Sequence, residues 1–201
     1  MYFTCKYDTH TPRIFFMRKL IYGINVSLDG CCDHTKFGGA ADVHDYFRQL
    51  LEDADLVIYG RKTYELMVPF WPEIAESQSM DETSNAFAKA FAGLNRVVVS
   101  KTIDLAGDPN TSVIRDNLKE EILKLKQQPG KAISTGGVEL PAKLIELGLI
   151  DEFHIVVHPV IVGQGRRLFS EMTLTENLGL KLMAEETLSS GCIILRYEKI
   201  S

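Results

Sequence analysis

The stretch AISTGGVELPAKLIELGLIDEF, residues 132–153, decides how this chain is read. A β-prone run reaches Gly136-Gly137, and an amphipathic pattern leaves it with Leu140, Leu144, Ile145 and Leu147 on one stripe. Such a junction suits an anion. Glycine lets the backbone come close, and the start of a helix offers free N–H groups and partial positive charge. An ordinary strand-to-helix turn has the same look. Glu139 can itself satisfy the helix end, and it stands four residues before Lys143, a spacing that allows an ion pair.

Working outward, strands and helices alternate. Strand patterns cover 19–27, 56–59, 96–100, 112–115 and 131–135; helical patterns cover 42–53, 61–67, 81–93, 117–128 and 138–147. The prolines of VPFWPE (68–73) read as a break. EFHIVVHPVIV (152–162) reads as one strand bent at Pro159, and LKLMAEETL and CIILRYEKI flank a turn as a terminal hairpin. Runs apolar on both faces imply a parallel central sheet, so the expectation is one mixed α/β domain over 18–201 with helices on both faces. Residues 1–17 differ in composition and read as an extension outside that domain, unless Ile14-Phe15-Phe16 packs on its surface or on a partner.

The net charge of −5 argues against nucleic acid and anionic membrane as partners. No run is long and apolar enough to cross a bilayer, and the first residues lack a signal-peptide core. The four cysteines form no C-x-x-C pair, which fits a reducing cytoplasm. No metal set is expected, because Cys31, Cys32, Asp33 and His34 crowd one another and have no distant partner.

Ligands in open α/β sheets sit beyond the carboxyl ends of parallel strands. Three such ends carry suitable groups: Gly60-Arg61-Lys62-Thr63, Ser100-Lys101, and Thr135-Gly136-Gly137-Val138. GQGRRLF (163–169) can bind an anion through Arg166 and Arg167, with a hairpin turn as its simpler reading. Phe70 and Trp71 read as core or dimer contacts before cleft residues.

KLIYGINVSLDG (19–30), DLVIYGRKTYE (55–65), RVVVSKT (96–102) and ISTGGVELPAKLIELGLIDEFHIVVHPVIVGQGRRLF (133–169), in this order, resemble the dihydrofolate-reductase-like family. The chain is most similar to the branch of the reductase domain of the bifunctional riboflavin-biosynthesis deaminase-reductase, over residues 18 to 199. The resemblance implies a mostly parallel sheet ending in an antiparallel hairpin, NADPH as cofactor, and a homodimer. Gly60, Arg61, Lys62 and Thr63 would hold the adenosine end, with Arg61 toward the 2′-phosphate beside Ser100 and Lys101. Thr135, Gly136 and Gly137 would lie under the diphosphate with Val138 opening the helix, and Val26 to Gly30 would line the nicotinamide side. The proton that accompanies a hydride is assigned to Asp42 by position in the family, with Asp29 second. Asp42 can instead cap its helix, and Asp29 can serve its own turn.

Two departures bear on function. The zinc-deaminase signature is absent, which implies a stand-alone reductase, and the segment after GRKTYE lacks the expected substrate-phosphate residues. The expected activity is NADPH-dependent reduction of a pteridine- or pyrimidine-like small molecule. The alternatives are a non-catalytic nucleotide-binding module and, third, a dihydrofolate reductase.

Overall fold

The sheet is built around β1 (Leu20–Ser27), whose buried run pairs in parallel with β5 (Ala132–Thr135) on one side and β6 (Glu152–His158) on the other. In this computed structural model residues 17–105, 108–170 and 172–200 are described. The expected extension therefore lies outside the described residues, except for Met17. β2 (Ala54–Gly60), β3 (Asn95–Val99) and β4 (Thr111–Ile114) continue the parallel part beyond β5. β7 (Leu180–Thr187) and β8 (Ile193–Lys199) form the terminal hairpin, with β8 antiparallel to β6. The order across the sheet is β4-β3-β2-β5-β1-β6-β8-β7.

Alternation along each strand feeds two cores. On β2, Leu56 and Ile58 enter a cluster with Ile122 of α5 (Leu118–Gln127) and with Leu140 and Leu144 of α6 (Glu139–Glu146). Val57 and Tyr59 face the other way, onto Leu51 of α1 (Ala41–Glu52) and onto Phe87 and Phe91 of α4 (Glu82–Ala92). Helices thus cover both faces, as expected. After β1 the chain leaves to α1 on one face, and after β5 it leaves to α6 on the other. β1 and β5 are neighbours, so a crevice opens between their carboxyl ends.

One expectation is extended and two are corrected. VPFWPE breaks α2 (Arg61–Met67) as expected, but it also opens an unexpected helix, α3 (Phe70–Ser77), after Pro69. Pro72 falls in the first turn of α3, where a missing N–H has no helical acceptor to lose. β6 stops at His158, before Pro159. GQGRRLF is no hairpin turn; it folds back on the loop after β1, with Arg167 bridged to Cys31, Leu168 N–H donating to the Gly30 carbonyl and Cys32 N–H donating to the Arg166 carbonyl.

Candidate functional site

The glycine junction keeps the geometry that an anion seat needs. Gly137 has a φ of 85°, in the left-handed region, and a Cβ there would stand 2.2 Å from Thr63 Oγ1. A Cβ on Gly136 would meet the Gly23 carbonyl at 3.5 Å and the Tyr59 ring at 3.6 Å. The loop after β5 therefore lies backbone-first against α2 and β1. Tyr22, fully buried on β1, donates its hydroxyl hydrogen to the Gly137 carbonyl over 2.8 Å.

Charge surrounds this junction. Lys62 reaches the Glu139 carboxylate at 2.7 Å, and Arg166 approaches the same oxygen at 3.4 Å. The Lys62 hydrogen bond, with Arg166 adding to it, holds the Glu139 carboxyl below its ordinary value. Arg61, the residue before Lys62, grips both oxygens of Glu65 at 3.0 and 3.1 Å. Glu139 does not pair with Lys143, which takes Glu146 at 3.5 Å instead.

Beyond β3 and β4 lies a hollow of about 420 Å³, lined among others by Ser100, Lys101, Arg115 and Asn117. Ser100 Oγ accepts from the Thr102 and Ile103 N–H groups and so shapes the turn. Arg115 donates to the carbonyls of Lys101 and Ile103, each over 3.1 Å, and fixes the same loop from outside.

On the α1 face, the Ser189 hydroxyl and the Ser190 N–H each donate to Asp42 Oδ2 over 2.8 Å. Asp42 Oδ1 is buried without a hydrogen-bond partner among the described residues. Burial raises this carboxyl, but the donors from Ser190 and Ser189 outweigh it and leave the group below its ordinary value. Nearby, buried His158 stands between Asn25 Oδ1 at 3.0 Å and Cys192 Sγ at 3.5 Å, with the Phe37 ring 4.7 Å from its own. Burial lowers the His158 pKa, partly countered by Asp42.

Comparison with known proteins identifies the architecture. The model of the RibD C-terminal domain matches residues 18–194. The chain belongs to that family. As a RibD C-terminal domain it is 32% identical to the uncharacterized protein YyaP of Bacillus subtilis (strain 168), over 90% of this chain and 94% of the relative. In fold it is similar to a pyrimidine reductase-like protein from Corynebacterium diphtheriae NCTC, with a TM-score of 0.64 at 16% identity, covering 92% of each chain. It is also similar in fold to dihydrofolate reductase from Enterococcus faecalis, solved with NADP(H), with a TM-score of 0.60 at 13% identity, covering 94% of this chain and all of that one. The dihydrofolate-reductase-like architecture expected from sequence is thus the one observed.

Within this RibD C-terminal domain, Gly60, Lys62, Thr63, Gly136, Gly137 and Val138 come together at the ends of β2 and β5. Ser100 and Lys101 follow at the end of β3, and Val26 lies buried on β1. Thr135 departs from its expected place: its hydroxyl is buried and donates to the Ile58 carbonyl over 2.6 Å, inside the sheet. Asp29 departs too. It accepts from the Ser27 hydroxyl at 2.5 Å, pairs with Arg167 at 2.7 Å, and takes the Gly163 and Val162 N–H groups at 2.8 and 3.1 Å. Those partners, Ser27 first, hold it well below the usual carboxylate range and make it a fastener between two loops. The helix cap considered for Asp42 is absent as well: α1 is capped at Ala40, which has no polar side chain. Sequence reasoning missed Tyr22 and Asn25, whose signal is a partner distant in sequence, and Arg115, and it weighed His158 only as a metal ligand with His154.

Proposed function

We propose that the chain is an NADPH-dependent reductase of a pteridine- or pyrimidine-like heterocycle. One observation carries the reading. The loop after β5 meets α2 so closely that Gly137 has no room for a Cβ, and Lys62 and Arg166 flank it at the start of α6. A backbone brought bare to a helix start between two cations fits a dinucleotide diphosphate. Arg61, Ser100 and Lys101 lie on the side suited to a 2′-phosphate, which favours NADPH over NADH. Membership in the RibD C-terminal domain family supports a reductase.

Bound there, NADPH supplies the hydride. The protein orients and fastens. Val26 and Ser27 end β1 at the crevice, and the Asp29 fastener fixes the loop that follows. Asp42 is held ionised, and its carboxylate would act as a hydrogen-bond acceptor toward the heterocycle. A non-catalytic nucleotide-binding module is the second reading, favoured by one observation: Asp42 and Asp29 are both held below their ordinary pKa values and not protonated.

We also propose a homodimer through β7. All of that edge strand is exposed, with Leu182 at 46% and Met183 at 52%. Antiparallel self-pairing centred on Met183 would set Lys181 opposite Glu185 of the second copy.

Titration with NADPH and NADH, followed by loss of reduced-nicotinamide absorbance with pteridines and pyrimidines, tests the main reading. NADPH preference that falls in Arg61→Ala, together with turnover, supports it. No NADPH binding overturns it, and binding without turnover transfers the reading to the second.

A further inference from the structure

Glu139 is an acidic side chain at the spot where the cofactor reading puts a diphosphate, an arrangement that at first sight opposes it. The contacts turn the objection around. Glu139 opens α6 directly after Val138, and its carboxylate sits between Lys62 of α2 and Arg166 of the loop after β6. It thus joins three segments distant in sequence. Lys62 and Glu139 are substantially exposed, with side-chain exposures of 70% and 53%, and Arg166 is half-buried at 32%. An ion pair as open to water as Lys62–Glu139 contributes about 0–1 kcal/mol, so Lys62 can change partner at little cost.

We propose that Glu139 is a built-in stand-in for the cofactor diphosphate: it holds Lys62 and Arg166 over the glycine junction in the empty protein and yields both to the diphosphate on binding. The inference rests on the cofactor reading above and adds Arg166 to the binding groups. Three points on the structure converge. A carboxylate and a phosphate present the same kind of oxygen acceptor to ammonium and guanidinium groups, so exchange needs no new donor geometry. The Glu139 carboxyl is held ionised by the very cations that a diphosphate would recruit. Arg61, the residue before Lys62, repeats the pattern by closing on the exposed Glu65 carboxylate. A cradle whose cations are prepaired keeps its loops in place without a ligand, yet releases them to a stronger anion.

After exchange, Glu139 remains near the diphosphate as a like charge. It therefore lowers affinity, trading tightness for easier release. Removing its charge while keeping its shape must tighten binding of diphosphate-bearing ligands alone.

The experiment is calorimetric titration of wild type, Glu139→Gln and Arg166→Gln with NADPH, inorganic pyrophosphate and adenosine 2′-monophosphate, which has the 2′-phosphate but no phosphate on its 5′-oxygen. Glu139→Gln should bind NADPH and pyrophosphate about 3- to 10-fold tighter, the scale of one screened surface charge. Arg166→Gln should bind both more weakly by a similar factor. Affinity for adenosine 2′-monophosphate should stay within about twofold in both variants, since it lacks the group concerned. If wild type binds both nucleotides but Glu139→Gln binds NADPH and pyrophosphate equally or more weakly, Glu139 is a structural strut. The inference then falls while the cofactor reading stands. If wild type binds neither nucleotide, the cofactor reading fails and takes the inference with it.

Discussion

The Tyr22 hydroxyl ties β1 to the loop after β5 by its 2.8 Å hydrogen bond to the Gly137 carbonyl. This bond joins neighbouring strands whose connections leave on opposite faces. Tyr22→Phe keeps the packing but removes the donor from a carbonyl held near a fully buried ring. The expected loss is about 1–2 kcal/mol in urea denaturation. NADPH affinity should fall with it, because the junction loses its tether. Unchanged stability and affinity would show that the tether is idle.

Gly137 is a sharper probe. Alanine there meets both a left-handed φ of 85° and Thr63 Oγ1 at 2.2 Å. Gly137→Ala should cost about 1–3 kcal/mol of backbone strain and displace α2 from the junction. Binding of NADPH should drop more than tenfold, about 1.4 kcal/mol or more. Gly38→Ala, where nothing lies within 4 Å of the added carbon, is the matched control and should change neither quantity. Equal behaviour of the two variants in denaturation and titration would remove the close approach from the argument.

Much of this frame was legible in the sequence because its signals are local. The run into Gly136-Gly137 and the stripe of Leu140, Leu144 and Ile145 place β5 and α6 within a residue of where they stand. Locality also marks where reading fails. Pro72 looks like a breaker until its position in the first turn of α3 is known. Glu139 has Lys143 at helical spacing, yet the fold offers it Lys62, 77 residues away. Asp29 has the look of a turn residue, and its partners Gly163 and Arg167 come from a loop more than 130 residues on. Strand order, and with it the crevice between β1 and β5, has no local signature at all.

The β7 edge predicts assembly. A charge at Met183 sits where two copies would meet, on a strand with no buried residue to disturb. Met183→Lys should convert a dimer to a monomer in sedimentation without lowering the stability of the single chain. A monomeric wild type, or a variant that sediments as wild type does, would rule out this edge as the interface.

His158 predicts a pH signature on stability. Its ring is buried between Asn25 and Cys192 under Phe37, and burial favours the neutral form, against the pull of Asp42. The folded chain therefore takes up this proton at lower pH than the unfolded chain, where an ordinary histidine titrates near 6.5. Above that value both states leave the ring neutral, and His158 adds no pH dependence. As pH falls through it, the unfolded state binds the proton first and stability drops, levelling off once the folded ring is protonated as well. In His158→Gln this component is gone, although the side chain can still meet Asn25. Urea unfolding of both proteins between about pH 8 and pH 5 should show wild type losing more stability than the variant, with the divergence starting near the unfolded value. Parallel profiles would mean that the ring accepts its proton in place.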